Sequence, residues 1–173
     1  ILVRNKQWVL AKEMLQASLE DNIPREHVHR GLGHIAMMNQ DMDTMVKEYK
    51  NELQHFEDPD LRNKLAKLYE QRKDWNAAVE QRCAVRVLTP KSVRAHLNCA
   101  QNLFNLGKYD EAATALEPAV NLAPNGPFVL LLAANIKAKQ GDKVGAKKLF
   151  EKAKKSREDQ IKRGHEAQLQ NQP

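Results

Sequence analysis

Aromatic side chains make up only 5% of the chain, and glycine and proline number seven each. No segment alternates β-branched with polar residues, so the material for a half-buried strand is missing. The longest apolar run, Phe128 to Ala134, spans seven residues, against the roughly 20 that a membrane-crossing helix needs. A membrane span by helix is therefore excluded. Cysteine occurs twice, at Cys83 and Cys99, too few for a disulfide framework and in no zinc-ligand spacing. Both are read as small buried hydrophobes with free thiols. The opening residues ILVRNKQWVL lack an initiating Met, a long apolar core and a small-residue cleavage site. They are read as neither a signal peptide nor a natural start, and the chain is expected to be part of a longer protein.

Sequence signatures of catalysis are missing as well: there is no GxSxG, no glycine-rich phosphate loop, no HExxH and no Cys/His pair at useful spacing. The expectation is a non-enzyme without a cofactor. What is present is 42% hydrophobic residues in 173, enough for a folded chain. The net charge of +6 lies wholly after Pro90, because Lys+Arg and Asp+Glu balance before it. Its densest part is KAKKSR, Lys152 to Arg157.

A repeat organises this material. The segments ending at Pro90 and at Pro124 superimpose at one constant interval: Ala66 over Ala100, Tyr69 over Leu103, Trp75 over Tyr109, Ala78 over Ala112, Val85 over Ala119. A third copy, from Leu130 to Ala153, places Ala134, Gly141, Ala146, Phe150 and Ala153 in the same template. Two antiparallel helices approach closely only where one presents Ala or Gly to a large side chain of the other. That requirement explains small residues alternating with Tyr, Leu and Phe. Gly107 and Gly141 read as helix-ending residues, Asp110 and Asp142 as caps of the following helices, and Asp58-Pro59 and Asn125-Gly126-Pro127 as helix starts. A weaker copy is made by His29, Leu32, Gly33, Ala36, Met45 and Tyr49, and Lys6 to Leu19 matches the second helix beginning at Lys73.

The template resembles the tetratricopeptide repeat, whose unit is a 34-residue helix-turn-helix, the interval from Pro90 to Pro124. Ala100, Leu103, Gly107, Tyr109, Ala112, Leu116, Ala119 and Pro124 carry the resemblance best. It implies an all-α, right-handed superhelical solenoid of antiparallel helix pairs, about nine helices, in a single array over residues 1–163. Within it, 5–20 form the second helix of a truncated repeat, 26–57, 59–90, 93–126 and 127–155 four repeats, and 156–163 an extended last helix. A polar tail follows at 164–173, the helix fraying near Gly164. Free thiols favour a reducing cytoplasm, although bacterial members of the family also work outside it.

The resemblance further implies a groove lined by the first helix of each pair, holding an extended peptide or partner protein. In the family's register Arg30, His34, Asn63, Lys67, Arg94, Asn98, Gln101, Asn105, Asn135 and Lys139 are the partner-binding positions, with His27, Met37, Asp60, Lys64, Phe128 and Leu131 beside them. Amides both donate and accept, so they can grip a peptide backbone whatever its side chains. Asn63, Lys67, Arg94 and Asn98 are similar in part to a carboxylate clamp for a peptide's C-terminal acid. The alternative is self-association through Trp8, Leu15 and Leu19. Nucleic acid or an acidic surface, bound by Lys147, Lys148, Lys152, Lys154, Lys155 and Arg157, is disfavoured by the interspersed Glu151, Glu158 and Asp159 and the absence of stacking aromatics. A solvated helix with a Glu151–Lys155 pair is preferred. The stretch HVHRGLGHIAMM (His27 to Met38) invites a metal reading. His27 and His34 are seven apart, and no two of its histidines have the i,i+4 spacing of a helical metal pair. No metal site is expected, and His29 is assigned a packing slot.

Overall fold

In a computed structural model, residues 2–20 and 25–170 are described. Among them there are nine helices and no strand: α1 Leu2–Ala17, α2 Val28–Met38, α3 Met42–His55, α4 Pro59–Gln71, α5 Trp75–Leu88, α6 Val93–Asn105, α7 Tyr109–Leu122, α8 Pro127–Lys139 and α9 Lys143–Gln170. The fold is an all-α helical repeat, as the period requires. The chain divides into two compact units, Ile1–Gln81 and Arg82–Pro173.

The period is written into burial and backbone alike. Ala66, Ala100 and Ala134 are all fully buried, as are Ala78 and Ala112, with Ala146 nearly so. Each set steps by the interval that separates Pro90 from Pro124. Burial at these slots leaves no room for a larger side chain without moving a helix. The turn inside each pair contains one residue with positive φ: Gln40 (57°), Lys73 (59°), Gly107 (77°) and Gly141 (90°). Lys73, Gly107 and Gly141 follow one another at the full interval, whereas Gln40 stands one position too close to Lys73, so the first copy is short. The two non-glycine members adopt a left-handed backbone that disfavours a Cβ by about 1 kcal/mol or more, which shows that helix pairing dictates the turn.

In the first unit, α2 pairs with α3 at Gly33. A Cβ there would stand 2.3 Å from Cε1 of Tyr49, so only glycine admits the ring, which is itself 1% exposed. Ala36, Met45, Leu61, Leu65 and Leu68 complete the core around Tyr49. α1 packs on α2 in the same manner, with a Leu15 methyl 2.9 Å from where a Cβ of Gly31 would be. Helix starts follow the expected chemistry at Asp58, which accepts from the N–H groups of Asp60 and Leu61 at 2.7 and 3.0 Å, with Pro59 in the first turn. Asp142 likewise accepts from Gly145 N–H at 2.8 Å, and Pro127 follows Gly126 at the start of α8.

In the second unit, α6 pairs with α7 and α8 with α9, α7 contacts α8, and α6 also touches α8. Three expectations need correction here. Asp110 lies inside α7, whose N-cap is Lys108 without a side-chain bond; its carboxylate instead accepts from Gln140 Nε2 at 2.7 Å. α9 continues through Gly164 to Gln170 rather than fraying there, because a single glycine costs a helix only about 1 kcal/mol. No Glu151–Lys155 ion pair forms among the described residues; α9 is tied down by Lys152 Nζ, 3.0 Å from the carbonyl of Pro124, and by the Ser156 hydroxyl on the carbonyl of Asn125.

The largest correction concerns the cysteines. Cys83 and Cys99 are not free thiols but are joined in a disulfide, with Cα atoms 4.8 Å apart. They stand nearly equidistant from the turn joining α5 to α6. Antiparallel pairing across that turn puts them opposite each other at a separation that a disulfide spans. The inference from free thiols to a reducing compartment loses its premise. The bond closes a loop with a sequence separation of 16, a length for which the lost chain entropy is worth about 3 kcal/mol. Reduction, or the Cys83→Ser variant, is expected to lower the unfolding free energy by about that amount in urea titrations monitored by circular dichroism; an unchanged midpoint would mean that the bridge constrains nothing.

Candidate interaction faces

Each unit presents first-helix residues that the packing slots do not use. In the second unit Arg94, Asn98, Gln101 and Asn105 follow one another along α6 at steps of four, three and four, one face of a helix. Arg94, Gln101 and Asn105 are exposed and Asn98 half-buried. The Gln101 amide donates to the Asn105 side-chain oxygen at 3.0 Å, which holds two amides in a fixed relation. On the adjacent first helix, α8, Asn135 is half-buried and Lys139 exposed. Beneath this face Asn102 is buried and donates to the backbone carbonyl of Asn98 at 3.0 Å, while His96 Nε2 lies 2.8 Å from the carbonyl of Pro90. The polar groups of α6 thus sort into a buried set, in which Asn102 and His96 Nε2 meet backbone carbonyls while His96 Nδ1 has no partner among the described residues, and an exposed set of Arg94, Gln101 and Asn105.

In the first unit the corresponding residues are Arg30 and His34 on α2 and Asn63 and Lys67 on α4. Asn63 is half-buried and Lys67 exposed. Arg30 is paired with the carboxylate of Asp58, so its guanidinium braces α2 against the N-cap of α4. His34 Nε2 lies 3.5 Å from Lys64 Nζ, and its ring meets Tyr49 edge-on with centroids 6.1 Å apart. The other two histidines of the cluster diverge from it. His29 Nδ1 is 2.7 Å from Glu48 Oε2, and His27 precedes α2 in a left-handed conformation. Among the described residues no three His, Cys, Asp or Glu side chains are placed to share a metal ion.

Glu52 belongs to no motif, yet its place in the repeat marks it. In the three later copies its slot holds Val85, Ala119 and Ala153, all buried. Glu52 is buried completely, and a buried carboxylate is stable only with hydrogen-bond donors around it. It accepts from the backbone N–H groups of His27 at 2.6 Å and Arg30 at 3.2 Å, which are unsatisfied at the start of any helix. A side chain of α3 therefore caps α2, which has no cap of its own from the His27 side chain. An acid in an otherwise apolar repeat slot is the mark that points to it.

Burial first, and then the positive charges of Lys64 and Arg30, hold the His34 imidazole below its ordinary value of 6.5. The folded state thus resists the proton that the unfolded chain accepts. Stability from this site is complete above the unfolded value and declines as pH falls below 6.5. In an NMR titration the His34 midpoint is expected below 6.5, and Lys64→Ala should raise it only part of the way, since burial contributes most. A midpoint at or above 6.5 would contradict this environment.

Residues 93–125 match the family model described as tetratricopeptide repeat, the same copy that carries the template most fully. No curated protein sequence matches the chain significantly. Solved structures do resemble it. MamA MSR-1 C2 is 21% identical with a TM-score of 0.66, the match covering 91% of each chain. A second MamA crystal structure is 17% identical with a TM-score of 0.68, covering 92% of this chain and 94% of that one. YrrB, described as a TPR protein with an unusual peptide-binding site, is 17% identical with a TM-score of 0.69, covering 96% of this chain and 87% of its own. At these identities the likeness concerns the fold. The chain thus carries a tetratricopeptide repeat at 93–125, set in an all-α repeat fold that it shares along most of its length with solved proteins of that kind.

Proposed function

We propose that the chain is a protein-interaction scaffold, not an enzyme, that holds an extended peptide segment or partner surface on its first-helix faces. The observation that supports this best is the α6–α8 face. There Asn98, Gln101, Asn105 and Asn135 present amides that can donate and accept at once, flanked by Arg94 and Lys139. An extended peptide has a donor and an acceptor at nearly every residue, and a row of fixed amides can satisfy them without reading its side chains. The cations add attraction for carboxylates. That YrrB, with the same fold, is described by a peptide-binding site supports the same use of this face. Asn63 and Lys67 on α4, with His34 on α2, are proposed as the first unit's own contacts to a partner, and Arg30 on α2 is already paired with Asp58.

Self-association is the second reading. Of the residues expected to carry it, Leu15 packs on Gly31 of α2 and Leu19 is half-buried, so it rests on Trp8 of α1 together with Val9, Leu10 and Met14, all exposed, an apolar concentration that a surface helix does not need.

Replacing Asn63, Asn98 and Asn135 together by Ala is expected to leave the helical circular dichroism unchanged, since none of them occupies a packing slot. It should reduce partner capture from native lysate, read by mass spectrometry, by at least tenfold relative to the unsubstituted chain. Equal capture would move the binding surface elsewhere.

A further inference from the structure

An apolar surface adjoins the amide face, at the start of α8 and the middle of α9. A groove of about 580 Å³ opens between these helices, walled by Phe128, Leu131, Phe150 and Ile161 and edged by Lys154 and Arg157. Its apolar walls are open to solvent: Phe128 is 73% exposed and Ile161 53%. Both aromatic positions depart from the repeat in a way that indicates an occupant. Phe128 stands where the earlier copies place the charged residues Asp60 and Arg94, so a solvated position has become a bulky apolar one. Phe150 stands one period after Leu116, which is 2% exposed, yet Phe150 is 37% exposed. The groove thus has the apolar walls of a seat between helices, but is open.

Charge selects the occupant. α9 carries nine Lys and Arg against four Asp and Glu. At the groove edge Lys154 and Arg157 have no hydrogen-bond or ion-pair partner among the described residues, and Glu158 is the one acid beside them. A second copy of this chain would offer its exposed α1 face, where Lys12 stands beside Glu13 and no acidic excess answers Lys154 and Arg157. We propose that this groove docks an acidic segment of a partner protein, whose bulky apolar side chains at helical i,i+4 spacing fill the notch between Phe128 and Ile161 while its carboxylates pair with Lys154 and Arg157. Helix-in-groove recognition of this kind draws its affinity from the anchors and its selectivity from the flanking charge.

The test uses the whole chain and three fluorescein-labelled synthetic peptides, followed by anisotropy. One bears Phe and Leu at i,i+4 among glutamates; the second replaces the two anchors by Ser; the third replaces the glutamates by lysines. The first is expected to bind at least tenfold more tightly than either control, and to lose that advantage with Phe128→Ser. The double variant Lys154→Glu, Arg157→Glu should exchange preference from the glutamate to the lysine peptide, a gain that an unfolded variant could not show. Equal binding of all three peptides, or retention of the glutamate peptide by Phe128→Ser, would overturn the proposal. A mass that rises with concentration in light scattering and falls back in Phe128→Ser would assign the groove to a second copy and overturn it too.

Discussion

Every helix pair in this chain depends on close approach at slots where a side chain larger than alanine does not fit. Where the slot is glycine, as at Gly33, an aromatic ring occupies the space that a Cβ would take; where it is alanine, as at positions 66, 100 and 134, the methyl is fully buried. Dispersion between closely packed atoms is small per contact and large in sum. Holding the slots in register once per repeat therefore fixes the pairing within each unit. The left-handed turn residue is a consequence. Gln40 and Lys73 adopt it without the freedom of glycine, because the pairing on either side leaves the chain no other path.

This economy of slots frees the remaining faces. The second helices and the buried stripe of the first helices satisfy the core, so exposed positions on α6 and α8 are open to any chemistry, and here they carry amides and cations. The first unit uses part of that freedom for itself: Glu52 caps α2 and Arg30 braces Asp58, and the His34 imidazole is held below its ordinary value by burial and by Lys64 and Arg30. The same charges that suggest a ligand there are partly engaged in holding the helices. The second unit has the more open face and adds a covalent tie between α5 and α6.

The slots were legible in the sequence because a steric requirement repeated at a fixed interval leaves a residue pattern, and the caps at Asp58 and Asp142 because local hydrogen bonding needs only neighbouring residues. Features that depend on contacts across helices were not. The Cys83–Cys99 bond needs the two positions to face each other over a turn, which composition and spacing motifs do not express. Glu52 acts on a helix start 25 residues away, and its neighbours give no cue. Asp110 sits in a capping context but too far into its helix, an offset within the usual uncertainty of helix boundaries. The amide face could be named residue by residue from the repeat's register, yet the Gln101–Asn105 bond and the engagement of Arg30 appear only in three dimensions.

The central claim is that the buried slots carry the fold while the polar face of α6 contributes little to it. Urea unfolding of Ala100→Leu beside Asn98→Ala tests it most directly. Overpacking a closed slot costs about 1–3 kcal/mol, whereas a surface substitution away from the core stays within about 0.5 kcal/mol. The account predicts that separation, with Ala100→Leu destabilised and Asn98→Ala as stable as the original chain. Comparable losses in the two variants, or an undisturbed Ala100→Leu, would contradict it.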